Sequence, residues 1–98
     1  MKTKRDYLKE KYNSFQVYLV SQSNIEPHEL ENNEDVKEFR KMTEEELIIF
    51  AVNKLNPYKN NLSYPAKRIM QIFQISPEDN QKRLMIENYL ELILSLIE

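Results

Sequence analysis

The chain has 98 residues, 14 Lys and Arg, 16 Asp and Glu and one His, for a formal charge of -2. That length suits one domain with one modest core. There is no Gly, no Cys and no Trp. Without Gly the chain has no phosphate-cradling glycine loop, no dinucleotide fingerprint and no EF-hand loop. Without Cys it has no disulfide framework, no thiolate nucleophile and no cysteine zinc site.

Average usage would put about seven Gly in a chain this long. Their absence disfavours a sandwich or barrel, whose tight turns need positive φ. Helices can end on Asn instead, because Asn also tolerates the left-handed conformation, and the chain holds ten Asn. It is rich in Lys and Ile and has two Ala, a composition expected of an AT-rich gene from a low-GC bacterium or its phage. The opening MKTKRDYLKEKY has no apolar stretch after its basic residues, so no secretory signal is expected. Glu87, Asn88 and Glu91 interrupt the apolar stretch from Leu84 to Ile97, which is too short and too charged to span a bilayer. The expectation is a cytoplasmic chain with no membrane contact.

The first helix is predicted from Lys4 to Gln22. Thr3 is its cap and Asp6 takes the reciprocal position. Leu8, Tyr12, Phe15 and Leu19 share one face. Residues 23–42 read as an irregular acidic connector with a short helix from Pro27 to Glu31 and another from Glu34 to Lys41. T-E-E-E from Thr43 is a capping box, with three carboxylates suited to the helix dipole. That helix carries Leu47, Phe50, Val52 and Leu55 and should stop at Asn56-Pro57, because proline disfavours helix at the residue before it. A fourth helix follows, capped by Ser63. Ser76-Pro77-Glu78-Asp79 signals a last helix that starts at Pro77 and runs almost to Glu98. Its apolar residues cover more than half its circumference, as in a helix surrounded by neighbours or seated in a subunit interface.

The expected fold is all-α: a single domain over 1–98, a compact bundle of four to five helices. Its core is predicted from Leu8, Tyr12, Phe15, Leu19, Phe50, Val52, Ile69, Phe73, Ile86, Tyr89, Leu90 and Ile93.

Charge is uneven. Residues 1–22 carry a net +3, residues 23–46 a net -6 and residues 47–98 a net +1. The acidic block holds Glu29, Glu31, Glu34, Asp35, Glu38, Glu44 and Glu45, and is the leading partner-binding face. It would meet a basic or nucleic-acid-binding site on a protein partner. The function expected is a small non-enzymatic regulator that occludes this partner, as a phage or mobile-element inhibitor, antitoxin or immunity protein would. No catalytic, metal or cofactor site is expected. The one His, His28, lies in a turn, and Glu29 and Glu31 beside it do not complete a zinc site.

The stretch Ile69 to Leu84, IMQIFQISPEDNQKRL, resembles the helix-turn-helix pattern of bacterial and phage repressors. Ile69 and Phe73 stand at core positions and Ile75-Ser76 at the turn. The resemblance implies an alternative, a dimeric DNA-binding regulator presenting Asn80, Gln81, Lys82 and Arg83 to the duplex. Met70, Gln74 and Asn80 depart from the pattern's small, glycine and β-branched positions. Glu78 and Asp79 would face phosphates. A homodimer interface would use Tyr89, Leu92, Leu96 and Ile97. A structural or assembly component of a phage is a third reading.

Overall fold

A computed structural model describes residues 1–97, and in these the protein is all-α, with no strand. Six helices follow one another: α1 (Lys4–Gln22), α2 (Pro27–Leu30), α3 (Glu34–Arg40), α4 (Glu44–Phe50), α5 (Ser63–Ile72) and α6 (Asn80–Ile97).

The expected capping chemistry forms at α1 and α4. Thr3 accepts from the Asp6 amide at 3.2 Å, and Asp6 accepts from the Thr3 amide at 3.0 Å. The bond that the Thr3 amide donates to the carboxylate, and next the Thr3 side chain, hold the Asp6 carboxyl below its ordinary range. At α4, Thr43 and Glu46 exchange the same pair of bonds, each at 3.1 Å. Asn33 caps α3 by accepting from the Val36 amide at 3.1 Å.

Three helix boundaries differ from expectation. The α4 chain does not stop at Asn56-Pro57. It widens into a π-helical turn over Ala51–Leu55 and then a 3-10 turn over Asn56–Tyr58. Leu47, Ala51 and Leu55 are all buried. In an ideal α-helix each step of four residues overshoots one turn by about 40°. The wider π turn takes up this excess, so Leu55 stays on the core side. Ser63 is the first residue of α5 rather than its cap, and its hydroxyl donates to Asn61 Oδ1 at 2.6 Å. The last helix begins at Asn80, not Pro77. Asp79 caps it, accepting from the Lys82 amide through Oδ1 at 3.2 Å and from the Arg83 amide through its carbonyl at 3.0 Å.

Helix α6 is the centre of the packing, lying against α1, α5 and the π turn. Nine predicted core residues are buried. The exceptions are Val52, which is 49% exposed, and Phe50 and Tyr89, which are half-buried. Val52 lies three residues before Leu55 in the widened turn, and it is Leu55 that the turn buries. The core also takes Ile25, Leu30, Val36 and Phe39 from the acidic segment. Phe39 is its aromatic hub, edge-on to Phe15 at 6.1 Å, Phe50 at 6.0 Å and Phe73 at 5.7 Å. Residues 23–42 are therefore anchored by apolar contacts, more than a solvated connector would be.

The α5–α6 connection is pinned by the end of α1. Ser23 Oγ donates to the Phe73 carbonyl at 2.8 Å, and Asn24 Nδ2 to the Gln74 carbonyl at 2.9 Å. Gln74 itself has φ 54°. The Ile75 amide reaches back to the Met70 carbonyl at 2.8 Å, which closes the helix end in a Schellman-like turn.

Candidate functional site

The acidic residues differ in their surroundings. Glu44 faces Arg5 of α1, with Oε1 and Nε 3.6 Å apart. Glu34 faces Lys37 within its own helix at 4.0 Å. Glu29, Glu31 and Glu45 are exposed. Asp35 and Glu38 of α3 stand together with Glu46 of α4 around a hollow of about 290 Å³. Its apolar lining is Phe39, Met42, Phe50 and Ile72.

A second hollow, of about 310 Å³, shares Phe39, Phe50 and Ile72 with the first. It continues over Pro65 and Ile69 and is walled by Lys54, Tyr58, Tyr64 and Arg68. A third, of about 210 Å³, lies between Asp35, Arg68, Gln71 and Ile72. The three share Ile72 and together make one groove bounded by α3, α4 with its π extension, and α5.

Local structure explains the walls. Phe50, Lys54 and Tyr58 recur every four residues, and the widened turn keeps them on the groove side. The Tyr58 and Tyr64 rings stack at 4.8 Å across the loop that joins the 3-10 turn to α5. Arg68 stands four residues after Tyr64, one turn further along α5. Asp35 and Glu38 flank Phe39 on α3, so burial of Phe39 sets both carboxylates at the groove edge.

The charges around this groove are unspent. Among the described residues, Asp35, Glu38, Lys54 and Arg68 take part in none of the ion pairs, which are Lys2–Glu10, Arg5–Glu44, Lys37–Glu34, Lys82–Asp79 and Arg83–Glu87. One wall of the groove is thus acidic and the other basic and tyrosine-rich, and the two meet at the small hollow that Asp35 and Arg68 share.

The helix-turn-helix residues are placed otherwise. Lys82 Nζ lies 3.7 Å from the Asp79 carboxylate. Arg83 donates to Glu87 at 3.2 Å and to Asn80 Oδ1 at 2.8 Å. Three of the four side chains are therefore engaged with α6 or its cap. The connection spans residues 73–79, longer than the three- or four-residue turn of that motif. The proposed dimer residues also separate. Tyr89 stacks on Phe15 at 5.0 Å and lies 5.8 Å from Tyr18, Leu96 and Ile97 are half-buried against the core, and Leu92 is exposed.

His28 is exposed in α2. No three His, Asp or Glu converge as metal ligands among the described residues. Also among the described residues, no helix is long and apolar enough to cross a membrane.

Lys54, Tyr58, Tyr64 and Arg68 were not expected as site residues. A signal for them exists: from Leu47 to Pro77 the sequence has no Asp or Glu, yet holds four cations and both tyrosines. In comparisons with known proteins, no family model, no curated protein and no solved structure matches this chain.

Proposed function

We propose that this chain is a small non-catalytic regulatory protein that seats a segment of a protein partner in the α3–α4–α5 groove and thereby occludes it. The observation that supports this is the groove's composition. Phe39, Phe50 and Ile72 form an apolar floor, and the flanking Asp35 and Glu38 have no cation of their own among the described residues. Apolar floors give binding energy, and unpaired rim charges give encounter rate and register. The acidic wall suits a partner segment bearing Lys or Arg. The chain's size, its helicity and its acidic block fit an inhibitor, antitoxin or immunity protein from a phage or mobile element, a reading that rests on class-level analogy.

The DNA-binding alternative draws less support, because Asn80, Lys82 and Arg83 already have partners within α6 or at its cap. The test is selection from a phage-displayed library of random 14-residue peptides, followed by amide chemical-shift mapping of an enriched peptide on the labelled protein. Shifts clustered at Phe39, Phe50 and Ile72 are expected. Shifts centred on Asn80–Arg83, or no enrichment at all, would overturn the reading.

A further inference from the structure

We infer that the segment taken by this groove is an amphipathic helix of split charge, basic where it meets Asp35 and Glu38 and acidic where it meets Lys54 and Arg68. This rests on the docking reading above and adds the partner's chemistry to it.

The form of the occupant follows from the fold. Among the described residues there is no strand, so an extended peptide would find no sheet edge to receive its backbone N–H and C=O groups. A helix brings those bonds with it. The two larger hollows, of about 290 and 310 Å³, lie side by side over one shared floor. Each is wide enough for a large apolar side chain, and helix positions four apart present two such anchors on one face. A 14-residue helix is about 21 Å long, against molecular extents of 37 × 26 × 22 Å.

The charge pattern follows from the walls. Lys54 and Arg68 border the second hollow, and neither belongs to an ion pair within the described residues. The exposed, stacked Tyr58 and Tyr64 beside them supply flat apolar surface and hydroxyls at the rim. This corner suits a carboxylate-bearing turn of the partner. A nucleic-acid strand would also meet cations and rings here. It is disfavoured because the same groove runs on into Asp35, Glu38 and Glu46, and Asp35 shares the smallest hollow with Arg68. Phosphates continuing along it would face three carboxylates.

The experiment repeats the 14-residue selection with two proteins, the wild type and the double variant Lys54→Glu/Arg68→Glu, whose altered side chains are exposed. Circular dichroism checks that the variant is folded. The wild type is expected to enrich helix-compatible peptides with basic residues toward one end, acidic residues toward the other and apolar residues four apart between them. The variant should lose at least tenfold in affinity for those peptides and instead enrich peptides that are basic at both ends. Enrichment of uniformly basic peptides by the wild type would overturn the split-charge inference and leave the docking reading intact. No enrichment by the wild type would remove both. Fluorescence anisotropy with a 15-nucleotide oligo-dT supplies the last arm: affinity above that of the best peptide, lost in the double variant, would replace the peptide by a single strand.

Discussion

Tyr12 on α1 donates its hydroxyl proton to the backbone carbonyl of Phe39 on α3, and the two rings sit 5.8 Å apart. Helix α3 ends at Arg40, so this carbonyl belongs to its last turn and has no helical partner. The bond therefore closes α3 and fixes the segment that carries Asp35 and Glu38. Tyr12→Phe keeps the packing and leaves the buried carbonyl unpaired. The expected cost is about 1–3 kcal/mol. For a domain this size that lowers Tm by several degrees, at roughly 4–8 °C per kcal/mol. Thermal unfolding followed by circular dichroism checks it, and a Tm within one degree of wild type would contradict it.

The same hydroxyl gives the protein an alkaline limit. Burial first, and the nearby Glu46 carboxylate second, push the Tyr12 hydroxyl well above its ordinary value of 10.0. Tyr18 is raised as well, by burial and then by Asp79 and Tyr89. A folded-state pKa above the unfolded value means that the folded protein holds its proton more tightly. The stability this contributes is complete below about pH 10 and is lost as pH rises beyond it. Urea midpoints should be flat in this respect from pH 8 to 9.5 and fall above pH 10. Tyr12→Phe should fall less steeply over the upper range. Parallel curves for the two proteins would show that Tyr12 does not set the limit.

Much of this architecture is legible from local rules. The Thr3–Asp6 and Thr43–Glu46 boxes are read directly from side-chain spacing, and both form. The face of Leu8, Tyr12, Phe15 and Leu19 is read from its period and is buried as expected. Local rules fail where tertiary packing decides. Val52 and Leu55 are equally apolar, and a regular helix gives no reason to prefer one. The π turn does, and it exists because Leu47, Ala51 and Leu55 must all reach the core. Phe39 looks isolated among charges in sequence, and only the meeting of α1, α3, α4 and α5 makes it a hub. The groove was half visible. Its acidic wall stands out as a charge block, whereas its basic wall is assembled from the π turn, a loop and α5, across a segment whose net charge is offset by distant Glu residues.

Gln74 occupies a conformation that glycine prefers. Its φ of 54° costs a residue with a Cβ about 1–2 kcal/mol. Its position is set by its neighbours' backbone bonds, and its carbonyl accepts from Asn24 whatever side chain it carries. The side chain is exposed. Gln74→Gly should therefore stabilise the protein by about 0.5–1 kcal/mol, the left-handed strain relieved less the entropy glycine gains when unfolded. Gln74→Val should destabilise it, because a β-branched residue is poorest there. Chemical denaturation of the three proteins gives the order Gly, Gln, Val from most to least stable, and a Gly variant below wild type would mean that the turn is held by its side chain.

The π turn makes opposite demands of two residues three apart. Leu55 has 0% of its surface exposed and belongs to the turn that packs against α6. Leu55→Ala leaves a cavity there and should cost about 2–5 kcal/mol. Val52 is 49% exposed and its truncation to Ala removes little packing, so its effect should stay within about 0.5 kcal/mol. If the chain ran as an uninterrupted α-helix to Asn56, Val52 and Leu55 would share the core boundary more evenly and the two costs would converge. The ratio of the two losses in urea midpoint thus reports the register of the widened turn. That register also sets Lys54 on the groove, so amide hydrogen exchange across 51–58 should quicken in Leu55→Ala and remain at wild-type rates in Val52→Ala. Equal costs would place the helix in α register and move Lys54 off the groove wall.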